Sequence, residues 1–254
     1  MPETTPLPPY TPPPKVLADR VILITGAGDG IGKAVSIACG SLGATVILLG
    51  RTVKKLEKVY DAILQAKGPN PAIYPMDLAG ATAQHYAELA ENVDKEFGRL
   101  DGLLHNAAHL KALSSIENSD PQDWALGFQV NLHAPYLLTR ACLPLLRKSA
   151  DARIVFTAAA QGRRGRAYWG GYAASKSAAE CLMEVLADEL ESTKNVRVNS
   201  IDPGPTRSRL RQAAYPGKDP SSYKAPEDIT DRYVYLLGPD SRDRNGVRFS
   251  IDDA

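Results

Sequence analysis

The sequence has few cysteines, almost no net charge and no long apolar run. Its 254 residues include three cysteines, Cys39, Cys142 and Cys181. They are an odd number without the spacing of a metal site, which favours buried reduced thiols in a cytoplasmic protein. A formal net charge of +1 gives no general attraction to nucleic acid or to an anionic membrane. The longest apolar runs are far shorter than the ~20 residues of a membrane span, and no secretory signal pattern opens the chain.

Prolines are concentrated at the N-terminus, where few other residues are suited to a core. Residues 1–14 contain seven prolines, which is typical of an extended or disordered segment. We therefore expect a flexible arm over residues 1–15, with docking on a partner subunit as the alternative. The remaining residues, 16–254, have the length of one sizeable domain, and no internal repeat or second boundary interrupts them.

Strand-like apolar segments alternate with helical patterns along this domain. Strands are predicted at residues 20–24, 44–49, 72–76, 100–105, 153–157, 196–201 and 247–250. Helices are predicted at residues 33–39, 82–97, 121–148, 171–193 and 226–238. Such alternation predicts an α/β fold of the doubly wound Rossmann type, with a mainly parallel seven-stranded sheet and helices on both faces. Ligands of such folds bind at the carboxyl ends of the strands.

A glycine-rich segment follows the first predicted strand. Residues 25–32 read Thr-Gly-Ala-Gly-Asp-Gly-Ile-Gly and lie between a β-branched run and a helical pattern, which is the context of a dinucleotide-binding turn. Gly26 permits a tight turn, and Gly30 and Gly32 let the backbone approach a pyrophosphate at the helix N-terminus. The alternative is an ordinary strand-to-helix turn that happens to be rich in glycine.

The end of the second strand indicates which dinucleotide is bound. An acidic residue there would bind the adenosine ribose of NAD, but the sequence is Gly50-Arg51-Thr52 and has no carboxylate. Arg51 is placed to meet a 2′-phosphate, which favours NADP (NADPH) over NAD. The negative charge of Asp29 in the glycine loop is an argument in the opposite direction.

Tyr172 and Lys176 are four residues apart in a predicted helix. At this spacing two side chains lie on one face, with Cβ atoms about 5–6 Å apart. A neighbouring ammonium favours the phenolate and so lowers the pKa of a tyrosine. Tyr172 is therefore a candidate general acid/base.

Together these motifs resemble the short-chain dehydrogenase/reductase family, in its form of about 250 residues, from about residue 18 onward. Residues 25–32 resemble the TGxxxGxG loop, residues 105–108 resemble the NNAG segment with its first Asn and its Gly changed, and residues 203–204 resemble the PG turn. The positions that match the family's cofactor site are Gly26, Asp29, Gly30, Ile31, Gly32, Arg51, Asp77, Leu78, Asn106, Ala107, Tyr172, Lys176, Pro203, Gly204, Thr206 and Ser208.

The resemblance implies how the site would work. Tyr172 would exchange a proton with a carbonyl or alcohol oxygen, Lys176 would bind the nicotinamide ribose and lower the tyrosine pKa, and Asn131 would hold a proton-relay water. The implied activity is the NADP(H)-dependent interconversion of a small carbonyl compound and a secondary alcohol. The implied assembly is a homodimer or homotetramer through the helices at about 121–148 and 171–193. Ala141, Leu145, Leu182 and Leu186 are candidates for that face or for the core.

One catalytic position departs from the family pattern. Ala159 stands thirteen residues before Tyr172, where the family has a serine that hydrogen-bonds the substrate oxygen. Gln161 shares the face of Ala159 if the strand continues, and could supply a donor, but a surface glutamine is the simpler interpretation. Trp169 either walls the pocket or packs in the core. The rival hypothesis is therefore an NADP(H)-binding protein with impaired catalysis, acting as a sensor or scaffold subunit.

Two further groups of polar residues flank the predicted pocket. Arg163, Arg164 and Arg166 precede Tyr172, and Arg207, Arg209 and Arg211 follow the PG turn. They could bind an anionic group on a substrate, although a solvated basic surface is the simpler interpretation. His105 and His109 have no cysteine or carboxylate at ligand spacing, so no metal site is predicted.

Overall fold

A parallel sheet of eight strands forms the centre of the structure, a computed structural model that describes residues 4–251. The strands are β1 (Thr5–Pro6), β2 (Val21–Thr25), β3 (Thr45–Gly50), β4 (Ala72–Pro75), β5 (Gly102–His105), β6 (Ala152–Thr157), β7 (Val196–Asp202) and β8 (Arg248–Ser250). Their spatial order is β1-β8-β7-β6-β5-β2-β3-β4. The direction of winding reverses between β2 and β5, which is where α/β sheets open a crevice for ligands.

Helices cover both faces of this sheet. They are α1 (Gly30–Ser41), α2 (Val53–Gln65), α3 (Ala83–Phe97), α4 (Pro121–Phe128), α5 (Ala134–Lys148), α6 (Ala160–Arg163), α7 (Gly170–Glu189), α8 (Arg209–Ala214) and α9 (Thr230–Leu237). Helices α3, α5 and α7 pack on one face, and α1, α2 and α9 pack on the other. Within residues 4–251, no helix is both long enough and apolar enough to cross a membrane.

The two apolar cores explain why the strands have near-continuous apolar sequences. Leu23 of β2 packs in the core beneath α3, α5 and α7, whereas its neighbours Ile22 and Ile24 pack beneath α1, α2 and α9. Successive side chains of a strand point to opposite faces of the sheet. Since both faces are covered by helices, every position of β2 is buried, as is typical of parallel sheets.

The N-terminal segment differs from the expected flexible arm and adds an eighth strand to the predicted seven. Thr5 and Pro6 pair with Phe249 and Ser250 of β8, and Leu7 N donates a hydrogen bond to Ser250 O at 2.8 Å. The segment is held further along by Tyr10, whose hydroxyl donates to Asp240 Oδ2 at 2.6 Å. The free edge of β8 supplies backbone partners that proline content alone does not indicate, so residues 5–10 are part of the fold.

Several helical regions also differ from the sequence prediction, among them α2 and the region between α4 and α5. Helix α2 was not predicted, although Leu56, Val59 and Ile63 form a buried stripe at helical spacing. The predicted helix at 121–148 is divided by a π-helical turn, Gln129–His133, between α4 and α5. Asn131 lies in this turn and is the only buried residue within it.

Some side-chain environments also differ from those expected. Cys39 and Cys142 are buried as expected, but Cys181 is exposed. Leu145 and Leu186, which were candidates for an assembly face, are only 3% and 9% exposed and belong to the core. The large apolar side chains that α5 and α7 present to solvent are Tyr136 and Val185, each 48% exposed.

Candidate functional site

A cleft of about 670 Å³ lies at the carboxyl ends of the central strands. Its size is within the range of about 300–1,000 Å³ that is typical of small-molecule sites. The predicted site residues that line it are Gly26, Asp29, Gly30, Ile31, Arg51, Asp77, Leu78, Asn106, Ala107, Ala159, Gln161, Trp169, Tyr172, Lys176, Pro203, Gly204, Thr206 and Ser208. Gly32 and Asn131 do not line the cleft but lie behind it, and both support its wall.

The glycine loop has a backbone that other residues would strain. Gly26 and Gly30 have φ angles of +68° and +50°, in the left-handed region that glycine adopts readily. A Cβ atom on Gly32 would lie 2.3 Å from Gly26 O and 2.5 Å from Asn106 Nδ2. The absence of a side chain at Gly32 therefore lets the first turn of α1 pack directly against the loop.

Asp29 occupies the N-cap position of α1 and is surrounded by cations. Its Oδ1 accepts a hydrogen bond from Gly30 N at 2.9 Å, while Oδ2 pairs with Lys55 and, at 3.0 Å, with Arg209 Nε. Burial opposes ionisation of this carboxyl, but the bonds from Lys55 and Gly30 N hold the pKa of Asp29 below its usual range. The negative charge that argued against a 2′-phosphate is thus compensated within the protein.

Lys55 is a site residue that the sequence analysis missed. It lies in the first turn of α2, lines the cleft together with Arg51, and is four residues beyond it in the chain. Because α2 was not predicted, there was no reason to place Lys55 beside Arg51. The two cations give this end of the cleft an excess of positive charge.

Tyr172 and Lys176 lie together in the first turns of α7, at the centre of the cleft. They are 9% and 5% exposed, and Lys176 Nζ is 5.9 Å from the centroid of the Tyr172 ring. Lys176 Nζ donates a hydrogen bond to Thr157 O, at the end of β6, over 2.7 Å. The lysine is thus held at the strand end, close to the tyrosine ring.

The pKa of Tyr172 is raised in this arrangement rather than lowered. Burial is the largest cause and the charge of Asp202 adds to it, while Arg211 acts in the opposite direction. Burial also lowers the pKa of Lys176 to about 8, against the opposing influence of Glu180 and Asp202. The expectation that the pKa of Tyr172 is lowered beside Lys176 is therefore wrong for the protein groups, because desolvation dominates. Tyr172 is a phenol at neutral pH, which is the form that donates a proton.

Asn131 is buried behind the cleft and anchors its wall. Its Oδ1 accepts a hydrogen bond from His109 N at 2.7 Å, and its Nδ2 donates to His109 O at 3.1 Å and to Ser175 Oγ at 2.9 Å. Both amide N–H groups are therefore committed to protein acceptors. The Asn131 side chain therefore joins the segment after β5 to Ser175 of α7, which is three residues beyond Tyr172.

The geometry around Ala159 differs from the expected continuing strand. Strand β6 ends at Thr157, and Ala159 is the N-cap residue of the short helix α6. The period-two argument that placed Gln161 on the face of Ala159 is therefore wrong, although Gln161 does line the cleft as part of α6. Ala159 packs with Tyr172 and with Trp169, whose ring centroid is 5.5 Å from that of Tyr172. Trp169 thus serves both as core and as cleft wall.

Arg163 and Arg211, one from each arginine cluster, have different surroundings. Arg163 forms an ion pair with buried Glu180 at 2.8 Å and is structural. Arg211 lines the cleft, and its guanidinium lies 4.4 Å and 4.8 Å from the ring centroids of Tyr215 and Tyr223. Arg211 was expected beside the predicted pocket, and the helix α8 that carries it there was not predicted.

Two polar side chains near the cleft, Asp202 and His109, were not given a role by the sequence. Asp202, at the end of β7, lines the cleft and is 7% exposed. His109 also lines it, and its Nε2 is 2.6 Å from Asp123 Oδ1. This carboxylate is brought to the histidine by α4 rather than by sequence spacing. Among residues 4–251, no group of three or more metal-ligating side chains is present.

Comparisons with known proteins show which family the chain is similar to. The family model for short chain dehydrogenases matches residues 20–219. The chain is 45% identical over 240 residues to the uncharacterized oxidoreductase YciK of Escherichia coli, covering 94% of each protein. It is 44% identical to a solved short chain dehydrogenase from Escherichia coli complexed with NADPH, with a TM-score of 0.92 over 95% of this chain and 100% of that one. A Shigella flexneri structure complexed with NADP is also 44% identical, with a TM-score of 0.91 over 94% of this chain and 99% of that one.

Proposed function

The chain belongs to the short-chain dehydrogenase family of oxidoreductases, and from this membership we propose that it interconverts a carbonyl compound and a secondary alcohol with NADP(H). The observation that carries the proposal is the position of Tyr172 and Lys176. They are buried side by side in the cleft that the glycine loop also lines. A proton donor is thereby placed where a reduced nicotinamide would meet a small substrate.

The cleft fits NADP(H) on several independent grounds. Gly26 and Gly30, with their left-handed backbone, line the cleft at the N-terminus of α1, where a helix end favours a pyrophosphate. Arg51 and Lys55 supply the positive charge that a 2′-phosphate requires, and the relatives crystallised with NADP or NADPH support the same choice. The remaining cleft residues proposed to hold the cofactor are Asp29, Ile31, Asp77, Leu78, Asn106, Ala107, Lys176, Pro203, Gly204, Thr206 and Ser208, and Gly32 supports them through the close packing of α1 on the loop.

Bound NADPH would supply the hydride, and thus two electrons, to the carbonyl carbon. The phenol of Tyr172 donates its proton to the carbonyl oxygen as negative charge develops there, which completes the alcohol. The ammonium of Lys176 then stabilises the phenolate until solvent returns a proton to it. Trp169 and Ala159 present apolar surface on this side of the cleft and limit access of water to the reacting atoms. We assign two roles to Asn131. It positions this wall of the cleft, and it holds the water of the proposed proton relay.

Ala159 is the observation that favours a second candidate function. Its methyl group packs beside Tyr172, at the position where a serine hydroxyl would donate to the substrate oxygen. Loss of one comparable donor costs about 10²–10³ in rate. A protein that binds NADP(H) but turns over slowly, as a sensor or scaffold subunit, is therefore the alternative.

The assembly that we propose is a homodimer or homotetramer formed through α5 and α7. The exposed side chains of Tyr136 and Val185 support this surface, in place of the buried Leu145 and Leu186. Sedimentation at a single-chain mass across micromolar concentrations would contradict it.

The two functions are separated by an assay of NADPH oxidation with a panel of ketones, aldehydes and quinones. We expect turnover by the wild type, a gain of about 10²-fold in Ala159→Ser, and loss of turnover in Tyr172→Phe. Tyr168→Phe is the matched control, because that tyrosine is 62% exposed. Tight NADPH binding without turnover, in both the wild type and Ala159→Ser, would reject the enzyme in favour of the binding protein.

A further inference from the structure

The register of β7 against α7 places Asp202 beside Lys176. Asn245 bonds both Val198 N, at 3.0 Å, and Ala187 O, at 2.9 Å, and further along Ser200 Oγ donates to Glu180 Oε1 at 2.7 Å. Strand β7 and helix α7 therefore run antiparallel to each other.

Asp202 follows Ser200 by two positions and therefore points to the same face of the sheet, about 6.6 Å further along. Lys176 precedes Glu180 by four positions and lies about 6 Å further along the helix in the same direction. Asp202 and Lys176 are therefore displaced from the Ser200–Glu180 contact in the same direction, toward the cleft, and by a similar distance. This places the two residues next to each other.

A second set of contacts leads to the same position. Lys176 Nζ donates to Thr157 O at 2.7 Å, and Thr157 pairs with Ile201 in the sheet, one strand spacing of about 4.8 Å away. Asp202 is the next residue after Ile201. Its orientation is fixed because Oδ1 accepts a hydrogen bond from Gly204 N at 2.9 Å.

Titratable or charged side chains from five elements surround Asp202. Helix α7 contributes Lys176 and Glu180, α8 contributes Arg211, α9 contributes Tyr233, β5 contributes His105, and the segment after β5 contributes His109. Glu180 is already paired with Arg163 and, at 3.8 Å, with Arg248. Burial lowers the pKa of His105 to about 3, so that this histidine is neutral. Asp202 is therefore the carboxylate that both lines the cleft and faces Tyr172 and Lys176.

We propose that Asp202 is a positioning residue whose negative charge keeps Lys176 charged and Tyr172 protonated, and so extends to higher pH the range in which the site can protonate a carbonyl oxygen. This inference rests on the proposed reductase function of the same site. The Asp202 carboxylate favours the protonated phenol of Tyr172, whereas the Lys176 ammonium by itself favours the phenolate. Removal of the carboxylate charge is expected to make both groups lose their protons more easily.

The competing explanation is that Asp202 only holds the Pro203–Gly204 turn through Gly204 N. Asp202→Asn separates the two explanations, because an amide oxygen still accepts the Gly204 hydrogen bond while the charge is removed. Asp202→Glu retains the charge. Asp188→Asn, at an exposed position of the same helix as Tyr172, changes the net charge by the same amount and is the matched control.

The experiment measures kcat/KM for carbonyl reduction by NADPH between pH 6 and pH 10 in these four proteins. For Asp202→Asn we expect the fall in activity at high pH to begin about one pH unit or more earlier than in the wild type. Asp188→Asn should follow the wild type, and Asp202→Glu should lie close to it. A uniform loss of rate with an unshifted profile in Asp202→Asn would overturn the proposal and leave Asp202 a purely structural role.

A measurement that does not depend on turnover accompanies the assay. The side-chain ¹³Cε resonance of Lys176 in lysine-labelled protein, identified by its absence in Lys176→Met, reports protonation directly. We expect its midpoint near pH 8 in the wild type and at lower pH in Asp202→Asn, and equal midpoints would overturn the proposal. If no carbonyl compound is reduced by any variant, the proposed function fails, and this titration alone decides the role of Asp202.

Discussion

The side-chain amide of Asn131 is joined to the main chain of His109 by two hydrogen bonds, of 2.7 Å to its N and 3.1 Å to its O. A π-helical turn inserts one extra residue into a helix and often occurs at functional sites. Here the turn aims Asn131 at the segment that follows β5. The same amide reaches Ser175 on α7, so one buried side chain connects two walls of the cleft.

We predict that Asn131→Ala destabilises the protein by about 2–4 kcal/mol, because it leaves backbone and hydroxyl groups without partners in a buried region. Urea unfolding followed by circular dichroism measures the change. Asn118→Ala, which removes an exposed hydrogen bond to Ser115, should change the free energy of unfolding by about 0.5 kcal/mol or less. Equal effects of the two substitutions would contradict the anchoring role.

His105 is predicted to make the protein sensitive to acid. It is 4% exposed, with Nε2 2.8 Å from Thr139 Oγ1, and burial lowers its pKa from 6.5 to about 3. Between these values the unfolded chain binds a proton that the folded protein does not. This histidine therefore costs about 1.4 kcal/mol of stability per pH unit as the pH falls from about 6.5 to about 3.

Urea unfolding of wild type and His105→Asn at pH 7 and pH 4.5 tests this dependence. The wild type should lose about 2–3 kcal/mol more than the variant over this interval. His133→Asn, at an exposed position, should retain the wild-type dependence. Parallel losses in His105→Asn and the wild type would show that the histidine is protonated in the folded protein.

Gly32→Ala is predicted to damage the cofactor loop. The new Cβ would meet backbone at Gly26 O, 2.3 Å away, and backbone cannot rotate away as a side chain can. We expect a loss of stability of about 1–3 kcal/mol or more and weaker NADPH binding, measured by unfolding and by NADPH fluorescence. Gly80→Ala is the control, since nothing lies within 4 Å of its Cβ position. Wild-type NADPH affinity in a stable Gly32→Ala protein would contradict the close packing of helix and loop.

Arg51 and Lys55 are predicted to select NADPH over NADH. Each charge-assisted hydrogen bond to a 2′-phosphate contributes about 1.5–3 kcal/mol. Arg51→Ala or Lys55→Ala should therefore weaken NADPH binding by about tenfold or more, with little effect on NADH. Lys54→Ala changes the same charge at an exposed position beside Lys55 and should leave both affinities unchanged. Equal affinities of the wild-type protein for NADPH and NADH would reject the cofactor assignment.

The features that sequence predicted well have a local physical origin. The strand at 21–25 is apolar at positions that face both cores, and the glycines at 26, 30 and 32 follow it directly. The site residues that were missed depend on long-range packing instead. Lys55 was missed because α2, which brings it to the cleft, was not predicted, whereas Arg211 was expected beside the pocket without the helix α8 that carries it. The pKa of Tyr172 could not be predicted from Lys176 alone, because burial and the carboxylate of Asp202 act on it as well.

The short strand at the N-terminus has a consequence for how the protein behaves in concentrated solution. The outermost strands of the sheet are β1 and β4, which end in Pro6 and Pro75. Proline has no N–H to offer to a neighbouring strand, so both borders of the sheet resist joining another chain side by side. Trimming residues 1–10 would uncover the main-chain groups of Phe249 and Ser250, and would turn a protected sheet edge into a template for strand-mediated aggregation.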